Sequence, residues 1–315
     1  MNRFKNIVLA IENLEDNRAV VEKTLELAYD NQASLTLVIV LRHRPENITE
    51  LIKTRQAIDI STIQEELQQK GIHRLEKLAK KSGIGELKVR ARVLVGIPYL
   101  EIIKEVIRSK NDLLVIAGRK KISVKKKVFG STTQHVLRKC PCPVWVMNPK
   151  KKTKKFGQVL AAIDDRHGDA VVDEINGQVL ELALSLSQIE KVKLNVVEVF
   201  ENLNDMSRYG YSGSAAGKLD FDDWHSAKSK QFHHFLNDWP IKVANCRIVE
   251  KAGNPGREII RFVRKNKVGV LVMGTVCRAG ISGVLIGNTA EKILRKVNCS
   301  ILAIKPKGFV SPVVL

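Results

Sequence analysis

What the chain lacks narrows its reading first. Nowhere in its 315 residues does an apolar run approach the ~18 residues that a bilayer crossing takes, so no membrane span is expected. The opening MNRFKNIVLAIENLED carries only a short apolar run followed at once by acids, which does not read as a secretory leader. Cysteines number five, an odd count without repeating spacing, which argues against a disulfide framework and for a reducing compartment. The expected location is the cytoplasm. Acidic residues are missing altogether between Leu113 and Ile163, where thirteen Lys or Arg fall, among them KKK at 125–127 and KKKTKK at 150–155. Such a block attracts phosphate-rich partners at long range. No RNP, helix-turn-helix or zinc-finger signature accompanies it, so a solvated face with a charged linker is the plainer reading. Also absent are a Ser/His/Asp order, an HExxH helix and a paired-carboxylate pattern. No catalytic residue is assigned, and hydrolysis of ATP would be weak at most.

What is present is a repeat. NIVLAIEN (6–13) resembles QVLAAIDD (158–165), and VLVGIPYLEIIKEVI (93–107) resembles IVEKAGNPGREIIRFV (248–263). NDLLVIAGRKK (111–121) resembles VGVLVMGTVCR (268–278), and GSTTQHVLRKCPCPVWVMNP (130–149) resembles GNTAEKILRKVNCSILAIKP (287–306). Order and spacing hold over roughly 150 residues, a period too long for a solenoid and suited to a duplicated domain. With 44% hydrophobic residues, each copy can bury its own core. The expected layout is a first domain at 1–149, a basic linker at 150–156, a second domain at 157–308 and a tail at 309–315.

Within each copy, short β-branched runs alternate with amphipathic stretches. The expected strands are 7–11, 34–41, 88–95, 113–117 and 144–147 in the first copy, then 159–163, 193–200, 246–251, 268–273 and 300–304 in the second. Helices begin near Asn17 and Ala170, and Pro98 and Pro255 open two more. Continuous apolar strands separated by helices predict α/β domains, each a doubly wound parallel sheet covered on both faces. Ligands of such sheets bind beyond the carboxyl ends of the strands.

Those ends carry the candidate site in the second copy. The first strand closes in Asp164, whose carboxylate can accept hydrogen bonds from a base or ribose. AGNPG (252–256) places Gly253 in a tight turn. After Met273 comes a loop through Gly274, Gly280 and Gly287, where exposed backbone amides and a helix start make an anion site. Asn288 and Thr289 are expected to cap that helix. The first copy offers a degenerate counterpart in Glu12, Gly118, Gly130 and Ser131, with Ser131 expected to cap its helix. His225, His233 and His234 are lesser metal candidates that lack a firm fourth ligand. Cys140-Pro-Cys142 reads as a turn before a strand, and Cys277 as a thiol at a loop. The stretch 207–239 is richer in aromatics than the rest. Its rings either wall a pocket or bury a helix or domain contact.

Strand order, repeat and the loop GTVCRAGISGVLIGNTAE resemble the universal stress protein family in its tandem-domain form. The resemblance implies an adenine nucleotide alpha hydrolase-like fold, with the two domains paired through VWVMNP and ILAIKP as an intramolecular pseudo-dimer and further homodimers open to it. Nucleotide-binding members carry G-x2-G-x9-G-(S/T) after the fourth strand and an aspartate closing the first, which contacts adenine. Here Gly274 and Gly287 match the first and third glycines and Asp164 matches the aspartate. Cys277 stands for the second glycine and Asn288 for Ser or Thr. In the first copy Gly118 matches and Lys121 replaces a glycine. The implied role is a stress-response sensor or regulator that binds ATP or another nucleotide in its second domain without catalysis. The alternative is a nucleotide-independent interaction with a protein partner, through the basic first domain or a strand edge.

Overall fold

Runs such as LLVIA and LNVVEVF are too apolar on both alternating faces for a half-exposed strand, and they form parallel sheets covered on each side. The computed structural model describes residues 3–11, 17–42, 60–81, 83–118, 130–148, 157–200, 221–237, 246–275 and 286–315. The chain divides into two units, one built on Met1–Lys152 with Phe309–Leu315 and one on Thr153–Ile281 with Leu285–Gly308.

The first unit runs β1 (Asn6–Ala10), α1 (Arg18–Asp30), β2 (Ser34–Arg42), α2 (Ile60–Lys81), β3 (Val89–Gly96), α3 (Pro98–Arg108), β4 (Leu113–Ala117), α4 (Ser131–Lys139) and β5 (Val144–Met147). Its strands lie in the order β3-β2-β1-β4-β5. The pairings are parallel, with Ile7 beside Leu35 on one flank and beside Leu113 on the other. Ile7, Leu9, Leu35, Leu37 and Trp145 are fully buried at its centre.

The second unit repeats the plan with β6 (Gln158–Ile163), α5 (Ala170–Glu190), β7 (Leu194–Phe200), α6 (Phe221–Asn237), β8 (Cys246–Ala252), α7 (Pro255–Lys265), β9 (Val268–Gly274), α8 (Asn288–Lys296) and β10 (Ser300–Ile304). Its strand order is β8-β7-β6-β9-β10, again parallel throughout the described pairings. Both sheets therefore reverse their winding at one place: between β1 and β4 in the first unit, and between β6 and β9 in the second. No helix among the described residues is long and apolar enough to cross a membrane.

Local chemistry accounts for the helix starts. The Asp169 side chain accepts from the amides of Val171 and Val172, capping α5. Asn254 accepts from the Arg257 amide at 3.1 Å and is followed by Pro255 at the first helical position, so α7 is fixed where the sequence suggested. Two expected caps are corrected. Gly287, not Asn288 or Thr289, is the cap residue of α8, and Gly130, not Ser131, is that of α4; neither helix has a side-chain cap. Glycine takes the extended cap conformation, which moves the polar residues into the first turn, where their side chains no longer reach the open amides.

Candidate functional site

Parallel pairing sets Ala162 of β6 beside Met273 of β9, so Asp164 and Gly274 leave the sheet from adjacent strands at the winding reversal. This crevice is where doubly wound sheets accept ligands. Thr275 fixes the exit of β9. Its amide and hydroxyl both donate to the Ile304 carbonyl at 3.1 Å, and its own carbonyl accepts from the Gly287 amide at 3.2 Å. That last bond draws the start of α8 against the end of β9. Asn288 and Thr289 are exposed in the first turn of α8, whose leading amides have no partner within the helix.

Gly274 has a packing reason for being glycine. A Cβ there would stand 2.7 Å from the Ile175 side chain of α5, closer than real contacts allow. Gly253 adopts φ +132°, the region that favours glycine, and its amide donates to Phe200 at 2.9 Å. It leaves β8, however, and β7 lies between β8 and β6. The structure thus brings Asp164, Gly274, Gly287, Asn288 and Thr289 to one crevice and sets Gly253 two strand spacings away, about 10 Å. Gly280 and Cys277 lie outside the described residues, as does Glu12 of the first unit. Gly118 ends β4, where its amide donates to Met147, and Gly130 and Ser131 open α4.

Asp164 is held twice. The Asn176 side-chain amide spans its backbone, accepting from the Asp164 amide at 3.0 Å and donating to the Asp164 carbonyl at 2.9 Å. The carboxylate is chelated by Arg166, with Nε to Oδ1 and Nη2 to Oδ2 both at 2.8 Å. Next along, burial raises the pKa of Asp165 against the opposing pull of Lys228, whose Nζ donates to the Asp165 carbonyl at 2.9 Å.

Beneath this loop lies a charged cluster that the sequence reading missed. His167 Nε2 meets the carboxylate of Glu198, which is fully buried on β7. On its other side, His167 Nδ1 stands 3.5 Å from Asp173 at the start of α5. The rings of Phe232 and Phe235 from α6 cover the imidazole at centroid distances of 6.0 and 5.0 Å. Burial pushes the Glu198 pKa up, and the His167 interaction only partly opposes this. Burial alone would lower that of His167, but Glu198 outweighs it and the imidazole is held above its ordinary value. Each group of the pair therefore binds a proton more tightly than it would in water. The signal was available: Glu198 has the same strand parity as Leu194, Val196 and Phe200, and a carboxylate so placed has to be buried and partnered.

Phe232, Phe235 and Leu236 therefore bury α6 against the sheet rather than wall a cavity. His225 meets Phe200 edge-on, and His233 pairs with Glu250 at 3.0 Å. No group of His, Cys, Asp or Glu among the described residues, His225, His233 and His234 included, has a metal-holding arrangement. Cys140 and Cys142 are buried with sulfurs 3.6 Å apart, and the Cys142 pKa is raised by its Cys140 contact and by burial.

The model of the universal stress protein family matches the chain twice, at residues 3–148 and 158–305. The chain belongs to the universal stress protein family. Universal stress protein E of Photorhabdus laumondii is 24% identical over 99% of this chain and 98% of its own length. The Escherichia coli K12 protein of the same name is 27% identical over 69% of this chain and 68% of its own. Among solved structures, a functionally unknown protein from Pseudomonas aeruginosa superposes with a TM-score of 0.68 at 20% identity, covering 98% of this chain and 95% of that one. A universal stress protein from Archaeoglobus fulgidus gives 0.60 at 18%, covering 95% and 98%. These likenesses establish a tandem α/β fold that runs the length of the chain.

Proposed function

We propose that the second unit binds a nucleotide or nucleotide-containing ligand in the crevice between β6 and β9, and that the protein acts in stress response as a non-catalytic sensor or regulator. The supporting observation is the pairing of an exposed acceptor, Asp164, with the glycine-capped start of α8 across the winding reversal. A helix start without a side-chain cap offers backbone donors and the positive end of its dipole to a phosphate. Asp164 is the acceptor for a ribose hydroxyl or an adenine amino group, in exchange for Arg166. Asn288 and Thr289 add side-chain donors beside those amides. Gly253 is assigned the turn that sets up α7 rather than a ligand contact.

The test is calorimetry on protein stripped of bound small molecules, with ATP, ADP, AMP and a nucleotide sugar, alongside Asp164→Ala and an Asn288→Ala, Thr289→Ala double variant. Binding by the wild type that weakens in both variants supports the reading. Absence of binding for all four ligands, or binding indifferent to both variants, refutes it.

A further inference from the structure

A groove of about 740 Å³ runs between α7 and α8. From α7 it is lined by Arg257, Arg261 and Arg264, spaced i, i+4 and i+7 so that they form one stripe, with Lys265 at the end. From α8, Lys292 and Lys296 face them at i and i+4. A rise of about 1.5 Å per residue spaces successive cations along each wall by about 4.5–6 Å. The floor is the buried side chain of Ile260.

Among the described residues, Arg261 alone of these six cations pairs with a carboxylate. Glu258 engages Arg261, and Glu291 pairs with Arg295, which does not line the groove. Lys292 donates to Asn254 Oδ1 at 3.0 Å, and Arg264 to the Lys296 carbonyl at 3.5 Å, both neutral acceptors. Like charges gathered on facing helices repel unless an anion lies between them. Three guanidinium forks suit phosphate oxygens. Among the described residues no aromatic ring lines the groove, so they offer a base no stacking platform, and the phosphates themselves are what the walls match.

The first unit supplies an internal comparison on the same scaffold. By the sequence repeat, Tyr99 of α3 stands in the place of Gly256, Leu100 of Arg257, Ile107 of Arg264, and His135 of α4 in that of Lys292. Tyr99 and His135 stack at 4.3 Å, with Lys139 Nζ 5.0 Å from the tyrosine ring. There the inter-helix space is filled by rings. In the second unit Gly256 leaves it open, and a Cβ at that position would already stand 3.0 Å from the Lys292 side chain.

We propose that the α7/α8 groove of the second unit binds a linear polyphosphate, phosphates joined without intervening bases. The inference is independent of the nucleotide crevice. Its test is fluorescence anisotropy of the full chain with end-labelled inorganic polyphosphate, measured across a salt series. An Arg264→Gln, Lys296→Gln variant alters the groove at the ends of both helices, away from Asp164 and the start of α8. Affinity is expected to fall by about tenfold or more, with the slope of log affinity against log salt shallower by roughly two. Lys230→Gln with Lys251→Gln removes the same charge from exposed sites elsewhere in the unit and is expected to change affinity by no more than about twofold. Gly256→Tyr with Lys292→His rebuilds the stacked rings and is expected to weaken binding while all three arginines remain. Far-UV circular dichroism establishes that each variant is folded. The proposal is overturned by no binding to the wild type, or by an equal loss in the exposed-lysine control. Equally tight binding of a polyglutamate of matched charge, or tighter binding of a single-stranded oligonucleotide, overturns it as well.

Discussion

Replacing Glu198 by glutamine tests whether its buried charge holds the His167 imidazole above its ordinary pKa. The change keeps size and shape and leaves His167 an oxygen to bond, but removes the charge that holds the imidazole above its ordinary value. In the unfolded chain the two groups titrate near the ordinary values of free side chains, about 4.3 and 6.5. In the folded chain both are raised. Raised values mean the native state holds more protons than the unfolded state from the ordinary carboxylate range up past the ordinary imidazole value, so stability falls as pH rises across that window. Each full proton of difference gives a slope of about 1.4 kcal/mol per pH unit. Asp165, also raised, contributes in the same direction at the acidic end. In Glu198→Gln one of these groups is gone and the other loses its main partner. Burial then dominates His167 despite Asp173, and its pKa drops to or below the ordinary value. Two-dimensional NMR titration of the seven histidines should show one wild-type signal titrating above about 6.5 that moves down in the variant. Urea unfolding between pH 5 and 8 should show a flatter profile for the variant. A wild-type His167 titrating at or below its ordinary value, or a variant with the wild-type slope, would refute this coupling.

Two further outcomes follow from packing and capping. Gly274→Ala forces a methyl group to within 2.7 Å of Ile175. It should destabilise the second unit by about 1–3 kcal/mol in chemical denaturation, with part of the loss recovered in the Gly274→Ala, Ile175→Leu pair, which removes the crowding Cγ2 methyl group. Failure of the second change to recover any stability would place the cost in the backbone rather than in the contact. Asn254→Ala removes the cap of α7 and should cost about 1 kcal/mol, whereas Asn254→Ser should cost much less, as read by the thermal midpoint.

Strand placement was legible because the duplication shows each pattern twice and doubly covered strands read as uninterrupted apolar runs. The observed β4 and β10 have the expected bounds, and β1 differs by one residue at each end. Helix caps were less legible. A polar residue after glycine invites a capping assignment, and only backbone geometry shows that the glycine itself occupies the cap. Gly274 reads in sequence as part of a phosphate loop, while its crowding by Ile175 depends on a helix about 100 residues earlier in the chain. Glu198 and His167 stayed hidden because they lie 31 residues apart and meet only when β7 packs beside the loop that follows β6. The basic groove was illegible for a similar reason: its two walls come from separate helices, whereas the lysine runs that stand out in sequence lie in the first copy and the linker.

The Asn176 clasp around the Asp164 backbone has a consequence in time as well as in space. With both the amide and the carbonyl of that residue engaged, a change of partner at its carboxylate does not require the chain to move. What turns is the side chain, about two torsions, and it is 42% exposed. Such rotations run on picoseconds to nanoseconds, against microseconds or longer for collective rearrangements. Release of Arg166 is therefore a local turn of one side chain that leaves the Asp164 backbone clasped in place.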